Sequence, residues 1–408
     1  MAYSFAKGSF AKKTDGTGLQ AVTGAGFTPK ALILFATYQS AEGFGAHYVA
    51  SIGFCNGTVN RCQACAYEDN VVTSNTWNRR SNTKVIVLLN ENTGALRAQA
   101  DIDSLDSDGF TLDWTTNDAV AVIIHYVALG GDDLTNVNIG TFQIGTDTGN
   151  LAVTGVGFQP DFVMFMGSQG TNIDISDAGG GIQVGFAIST SKRGAFSHDS
   201  VDAVNPSDTN RWQMTNRCII KLRGNFGGGQ QSGIADFVSF DSDGFTINRL
   251  TGWGFDGAIW YMALAGGEYD VGSLTQPTST GNQTTTLAIR PRGVLLMSVQ
   301  AVASASLAAN NKLSFGGGSS GTSRGCIAAG DDAAVSPTQA DMDTETDRII
   351  VMNSQQVVDA DADLDSLGAG SFTLNWTTAD ATEREVIFVA FGEPLQPAGF
   401  LDGLVVLS

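Results

Sequence analysis

The feature that most limits what this chain can fold into is that it says the same thing three times. Gly8-Ser9-Phe10, Gly140-Thr141-Phe142 and Gly272-Ser273-Leu274 open three units spaced about 132 residues apart. Val22-Thr23-Gly24-Ala25-Gly26-Phe27-Thr28-Pro29 matches Val153-Thr154-Gly155-Val156-Gly157-Phe158-Gln159-Pro160, and the third unit keeps only Leu287-Ala288-Ile289-Arg290-Pro291. A basic residue then opens an apolar run at Lys84, Arg217 and Arg348. The turn Asp106-Ser107-Asp108-Gly109 leads into Phe110-Thr111-Leu112-Asp113-Trp114. Its counterparts lead from Asp241-Ser242-Asp243-Gly244 into Phe245, and from Gly370-Ser371 into Phe372. Each unit closes on an apolar strand, at Tyr126 to Gly130, Tyr261 to Ala265 and Phe388 to Gly392.

These landmarks are strand and turn signals. Phe110-Thr111-Leu112-Asp113-Trp114 alternates apolar and polar residues, the pattern of a strand with one buried face. Asp-Gly dipeptides mark tight turns. The 50 glycines and the scarcity of Ala/Glu/Lys/Leu helical stretches point the same way. The expectation is an all-β protein of three tandem antiparallel β-sandwich domains, jelly-roll-like in topology. They span residues 1–133, 134–269 and 270–408, the last the most diverged. Phe110, Phe245 and Phe372 are expected at equivalent buried positions. The third unit lacks the Asp-Ser-Asp-Gly turn, and the second has Arg249 where the others have Trp114 and Trp376.

Charge narrows the function classes. With 41 acidic and 22 basic residues the net charge is −19, which opposes binding to a nucleic-acid backbone. The first residues carry no apolar leader and no stretch approaches 18 apolar residues, so the expectation is a chain without a membrane span, made and kept in the cytoplasm until assembly. Five cysteines without a leader argue against a disulfide framework. Cys62-x-x-Cys65, with Cys55 upstream, has metal-knuckle or redox-pair spacing, but the other units lack it. Small apolar side chains in or near strands is the reading preferred for these, and Cys218, in the run Arg217-Cys218-Ile219-Ile220, reads as buried core.

No constellation for chemistry emerges. His47, His125 and His198 fall at non-equivalent places. Gly224-Asn225-Phe226-Gly227-Gly228-Gly229 lacks the Lys-Ser/Thr of a phosphate loop and reads as a hairpin tip. Asp101, Asp103, Asp106 and Asp108, with Asp361, Asp363 and Asp365, alternate along strands. Calcium is one reading of them, and a solvent-facing flank with an Asx-type turn is the other. Trp77, Trp212 and Trp253 read as lying in loop-like, polar surroundings and suit a core, a protein interface or a sugar platform. No catalytic, cofactor-binding or metal-binding residue is assigned, and the chain is expected not to be an enzyme.

Taken together, Val153 to Pro160, Tyr67-Glu68-Asp69-Asn70 and Asp241 to Thr246 resemble tandem-repeat structural proteins of tailed-bacteriophage virions and related prophages. The resemblance covers nearly the whole chain and implies a virion component, assembled in the host cytoplasm, whose partners are other virion proteins such as major capsid or tail proteins, with self-association as a further option. It implies no catalytic residue. Two roles fit: a head-exterior or capsid decoration protein acting by protein adhesion, and a tail-fibre or baseplate module binding host-surface glycan. Three similar domains in one chain can imitate a trimer, and the absence of heptads or a Gly-X-Y shaft favours the capsid role.

Overall fold

The structure is a computed structural model that describes residues 2–168, 172–223, 230–251, 257–302 and 307–395. Among these residues it is all-β, without a helix. The first repeat contributes β1 (Tyr3–Ala11), β2 (Gly18–Thr23), β3 (Pro29–Ala36), β4 (Gly43–Ala46), β5 (Tyr48–Cys55), β6 (Asn60–Tyr67), β7 (Thr76–Ser81), β8 (Ile86–Leu89), β9 (Leu96–Asp106), β10 (Gly109–Thr116) and β11 (Ile123–Gly131). The second contributes β12 (Asn136–Gln143), β13 (Gly149–Thr154), β14 (Phe162–Ser168), β15 (Ser176–Ala178), β16 (Ile182–Ala187), β17 (Arg193–Ser200), β18 (Thr209–Met214), β19 (Ile219–Arg223), β20 (Gln230–Asp241), β21 (Gly244–Arg249) and β22 (Ala258–Ala265). The third contributes β23 (Glu268–Thr275), β24 (Gly281–Thr286), β25 (Ile289–Ser298), β26 (Ala308–Ala309), β27 (Asn311–Ser320), β28 (Ser323–Asp331), β29 (Ala340–Glu345), β30 (Ile350–Ser354), β31 (Val357–Leu367), β32 (Ser371–Thr378) and β33 (Glu385–Pro394). The links between repeats are residues 132–135 and 266–267, the second lying just before the expected boundary at 269.

Each repeat makes the same two antiparallel sheets. In the first, one sheet runs β1-β11-β3-β5-β6-β7 and the other β2-β10-β9-β8. The outermost strands nest, β1 on β11 and β2 on β10, as in a rolled hairpin. The inner strands run as meanders. The opening landmark pairs with the closing one in all three copies: Gly8 with Tyr126, Gly140 with Tyr261, Gly272 with Phe388.

The two layers of each sandwich enclose a core. Phe110, Phe245 and Phe372 sit fully buried in the three cores, at matching register opposite Val22, Val153 and Thr285. Trp114 and Trp376 donate their indole N–H to Gln20 and Gln283, each at 2.9 Å. Arg249 takes the corresponding register position and donates instead to the carbonyls of Ile144 and Gly149.

Two sequence landmarks prove to be parts of one device. The Asp108 carboxylate accepts the Gly26 amide at 2.6 Å, and Asp243 accepts the Gly157 and Gly155 amides at 2.6 and 3.0 Å. The Asp-Ser-Asp-Gly turn therefore clamps the Gly-x-Gly loop. The first Asp of the turn braces it from the other side, accepting Ser104 and Thr111 hydroxyls at Asp106, and Ser239 and Thr246 hydroxyls at Asp241. The third repeat has neither half: Gly368-Ala369-Gly370-Ser371 stands in place of the turn and Leu287-Ala288-Ile289-Arg290-Pro291 in place of the loop.

A fourth core lies between the repeats. Strand alternation divides β3: Leu32 and Leu34 enter the sandwich, while Ala31, Ile33 and Phe35 face a cluster that draws buried residues from all three repeats. Strands β11, β14, β25 and β33 divide in the same way, for example Phe388 into the sandwich and Val389 into the shared core. This accounts for the uninterrupted apolar runs of the closing strands, since strands covered on both faces read as continuous hydrophobic stretches. Tyr3 and Phe5 of the first repeat meet Tyr269 and Phe391 of the third, which in turn pack on Phe162 of the second.

Candidate functional site

The shared core is closed by strand exchange. The connection between β3 and β5 projects β4 onto the edge of the third repeat, where Gly43 pairs with Thr344 on β29. The equivalent connection in the second repeat places β15 on β7 of the first, and that of the third places β26 on β18 of the second. Each large sheet thus gains a seventh strand from a neighbour. Three such contributions passed in one direction return to their start, which makes the molecule a closed ring with pseudo-threefold symmetry.

One end of the ring is capped by three loops of equal construction. Aligned through the strand registers, they read Asn70-Val71-Val72-Thr73-Ser74, Ala203-Val204-Asn205-Pro206-Ser207 and Ala334-Val335-Ser336-Pro337-Thr338. The first residue of each has positive φ, at 58°, 57° and 59°. Backbone hydrogen bonds join every loop to the next: Ser74 N–H to Val204 O and Ala203 N–H to Ser74 O, then Ser207 to Val335 and Ala334 to Ser207, then Thr338 to Val71 and Asn70 to Thr338. The buried hydroxyl of each loop also accepts a neighbouring valine amide: Val204 at 3.0 Å, Val335 at 3.2 Å and Val71 at 3.1 Å. With its donors and acceptors paired around a circle, this apex is held rigid. Its exposed side chains, Asn70, Val72, Thr73, Ala203, Asn205, Pro206, Ala334, Ser336 and Pro337, carry no charge on a chain of net −19. The shared pattern of Asn or Ala, Val, any residue, Pro or Thr, then Ser or Thr was present in the sequence and was missed, because only its valine is the same in all three loops and no hydrophobic run marks it.

Beneath the apex the equivalent residues Tyr67, Ser200 and Asp331 converge. Ser200 Oγ donates to Asp331 at 2.7 Å, and the Tyr67 ring covers Gly180 beside Ser200. Tyr48 packs on Tyr67 with ring centroids 4.4 Å apart, and its hydroxyl is joined to His198 Nε2 at 2.9 Å. Burial pushes the Asp331 carboxyl up to about 7, with Asp332 and Asp341 adding to the rise and Ser200 and Lys312 opposing it. Burial pushes His198 down to about 3. These shifts have opposite effects on stability. Between pH ~4 and ~7 the folded protein keeps the Asp331 proton that the unfolded chain loses, so this contribution falls as pH rises. His198 stays neutral where the unfolded chain would be protonated, so its contribution is lost as pH falls below ~6.5. Asp331→Asn should remove only the first. Its melting temperature relative to wild type should climb as pH is raised from 4 to 7, and a difference independent of pH would contradict the buried carboxyl.

The remaining candidates are scattered. All five cysteines are buried and free, and burial holds the thiols of Cys55, Cys62 and Cys65 up at about 12, in the unreactive protonated form. Asp101 pairs with Lys84 at 2.6 Å, and Asp361 and Asp363 pair with Arg348 at 2.6 and 3.2 Å. With Arg217 and Asp236 at 3.5 Å, the basic landmark of every repeat is an ion pair across its small sheet. Asp103 and Asp365 gather with none of these. His47 is half-buried and accepts the Asp69 amide. His125 is buried, taking the Lys7 ammonium on Nδ1 at 2.8 Å and facing Thr344 Oγ1 with Nε2 at 2.8 Å, a tie between the first and third repeats. Trp77 and Trp212 lie half-buried on strands rather than on loops. Trp253 and the expected hairpin tip at residues 224–229 lie outside the described residues. Among the described residues no helix is long and apolar enough to cross a membrane.

No protein-family model matches the sequence, and no curated protein matches it. Among solved structures, a chain from the Macrobrachium rosenbergii nodavirus structure is 8% identical, covers 64% of this chain and 92% of that chain, and superposes with a TM-score of 0.13, a likeness too slight to bear on fold or function.

Proposed function

We propose that the chain is a non-enzymatic virion structural protein, working as a head-exterior capsid decoration protein by adhesion to other virion proteins. The observation that carries this reading is the closed pseudo-threefold ring with an uncharged, hydrogen-bonded apex. One chain presents the same backbone arrangement three times around an axis, the geometry that a threefold position of a lattice can engage through three similar contacts at once. An uncharged apex on an acidic body avoids repulsion at the contact, while the acidic flanks keep decorated particles apart. The resemblance of the repeat segments to those of tailed-phage virion proteins points the same way, and assembly in the host cytoplasm belongs to the same proposal.

The test is to mix purified protein with particles that lack it and count bound copies. Hundreds per particle, centred on threefold positions, are expected. Copies confined to the tail would move the protein to the fibre or baseplate. That second reading, binding of a host-surface glycan, draws on a polar cavity of about 400 Å³ at the seam between the first and third repeats, lined by Asp69, Asn70, Gln339, Asp341, Gln355 and Gln356. Carboxylates and amides of this kind suit sugar hydroxyls. Failure to decorate any particle, together with saturable binding of a defined oligosaccharide, would replace the adhesion reading with this one.

A further inference from the structure

The first repeat brings together three side chains, a lysine, an asparagine and an aspartate, in an arrangement the third repeat does not share. Lys12 directly follows β1, and Asn117-Asp118 directly follow β10, 105 residues further along the chain. The Lys12 side chain is fully buried, with its ammonium 5.6 Å from the centre of the buried Trp114 ring. Nζ lies 2.5 Å from Asn117 Oδ1 and 2.9 Å from Asp118 Oδ1. Its other neighbours are the carbonyls of Asp118 at 2.7 Å and Lys13 at 3.3 Å. The Asn117 amide nitrogen donates to the Lys13 and Gly16 carbonyls at 3.0 and 2.7 Å, which fixes the carboxamide. Tyr38 donates its hydroxyl to the second oxygen of Asp118.

Capping the two carbonyls does not require a lysine. In the third repeat Gln276 takes the place of Lys12, and its amide donates to the equivalent carbonyls of Pro277 and Asp380. Ala379 stands there in place of Asn117. The second repeat has Ile144 at the position of the lysine. What Lys12 adds is a nucleophile in reach of a carboxamide, with a carboxylate beside both. Nζ is no more than ~3.7 Å from Asn117 Cγ, one carbonyl bond beyond Oδ1, so a small movement brings it to attacking distance. Burial acts to raise the Asp118 carboxyl, but hydrogen bonds from Tyr38 and Lys12 outweigh it and hold the group below the usual carboxylate range, ionised and able to accept a proton.

We propose that Lys12 and Asn117 join in an intramolecular isopeptide bond, with Asp118 carrying the proton. Asp118 takes one proton from the Lys12 ammonium, and the freed lone pair forms the Nζ–Cγ bond. A second Nζ proton passes to Asn117 Nδ2, the Cγ–Nδ2 bond breaks, and ammonia leaves with the proton that Asp118 held, as ammonium. The product amide keeps one hydrogen on Nζ, Asp118 ends ionised as it began, and no oxidant or cofactor is consumed. The bond closes a loop across 105 residues and fixes the end of β1 to its own sandwich. That strand is the one whose Tyr3 and Phe5 pack on the third repeat, so the cross-link secures the chain-terminal strand on which the ring closes.

Mass spectrometry of the purified full chain tests this directly. Allowing for removal of Met1, the intact mass is expected to fall one ammonia below that of the sequence, and a digest should yield one branched peptide holding both Lys12 and Asn117. Lys12→Arg and Asn117→Ala should each show the full mass of their own sequences. Asp118→Ala should do so as well, while its circular dichroism stays that of a folded β protein. Lys12→Arg should melt ~5 °C or more below wild type, since a cross-link over so long a loop restricts the unfolded chain. A wild-type mass equal to that of the sequence would overturn the bond. So would a missing ammonia that maps to a succinimide at an asparagine, with no branched peptide. A branched peptide formed undiminished in Asp118→Ala would overturn the proton transfer assigned to Asp118.

Discussion

Phe162→Ala is expected to lower the stability of the whole ring, not of the second repeat alone. The side chain is fully buried, stacks on Tyr269 at 5.2 Å, and packs against Phe391 at 5.5 Å and Phe186 at 6.1 Å. Two of those partners belong to the third repeat, and Tyr3 and Phe5 of the first lean on the same pair. Truncating a buried Phe costs about 3–5 kcal/mol. Because the lost contacts belong to a core built by all three repeats, the cost cannot be confined to one sandwich. Wild type should unfold in one transition, and the variant in one transition at lower temperature. Hydrogen exchange should quicken together in β11 and β33, far from the substitution in sequence. Three resolvable transitions, or faster exchange limited to residues 136–265, would mean that the shared core does not couple the repeats.

Gly53→Ala, Gly185→Ala and Gly316→Ala should each be severely destabilising. These glycines occupy one register position on β5, β16 and β27, opposite Cys62, Ala195 and Cys326. A Cβ there would lie 2.0, 1.8 and 2.0 Å from the carbonyl oxygens of Val85, Cys218 and Ile349. Those carbonyls belong to the residues after the basic landmarks, where the chain crosses from the large sheet into the small one. The obstacle is backbone on both sides, so no rotamer change relieves it, and the cost should reach ~3 kcal/mol or more, at or above the usual range for overpacking. Gly194→Ala is the control. The three atoms nearest its new Cβ would all be Ile387 side-chain carbons, the closest at 3.1 Å, which can yield, and the cost should stay near ~1 kcal/mol. Denaturant midpoints for the four variants decide the matter. Equal, small losses would show that the crossing is looser than its geometry.

Much of this architecture was legible in the residues. Alternation at Phe110-Thr111-Leu112-Asp113-Trp114 set a half-buried strand, and the structure finds Phe110, Leu112 and Trp114 buried with Thr111 and Asp113 partly exposed between them. The repeat order set three copies of one fold. The Asp-Gly turns and Gly-x-Gly loops were visible separately, but their joining through Asp108 and Asp243 was not, because the partners are more than eighty residues apart. The candidate site was less legible still. The apex loops have no length of apolar residues to announce them, and their pairing runs between repeats rather than along the chain.

The sequence by itself determined the strands, their faces and the threefold repetition, since these follow from local periodicity and from turn residues whose conformational needs are met within a few positions. It also held a hint of more, in closing strands such as Phe388-Val389-Ala390-Phe391 that are apolar on both faces. What covers the second face was decided only by tertiary structure. A β-strand left at a sheet edge carries unpaired amides and carbonyls and can accept a strand from any neighbour with the right register. Whether that neighbour is the next repeat, the last repeat or another chain depends on where the short strands β4, β15 and β26 can reach once every sandwich has formed. That reach is a property of three folded bodies in space, and it is what turns three copies in a line into a ring.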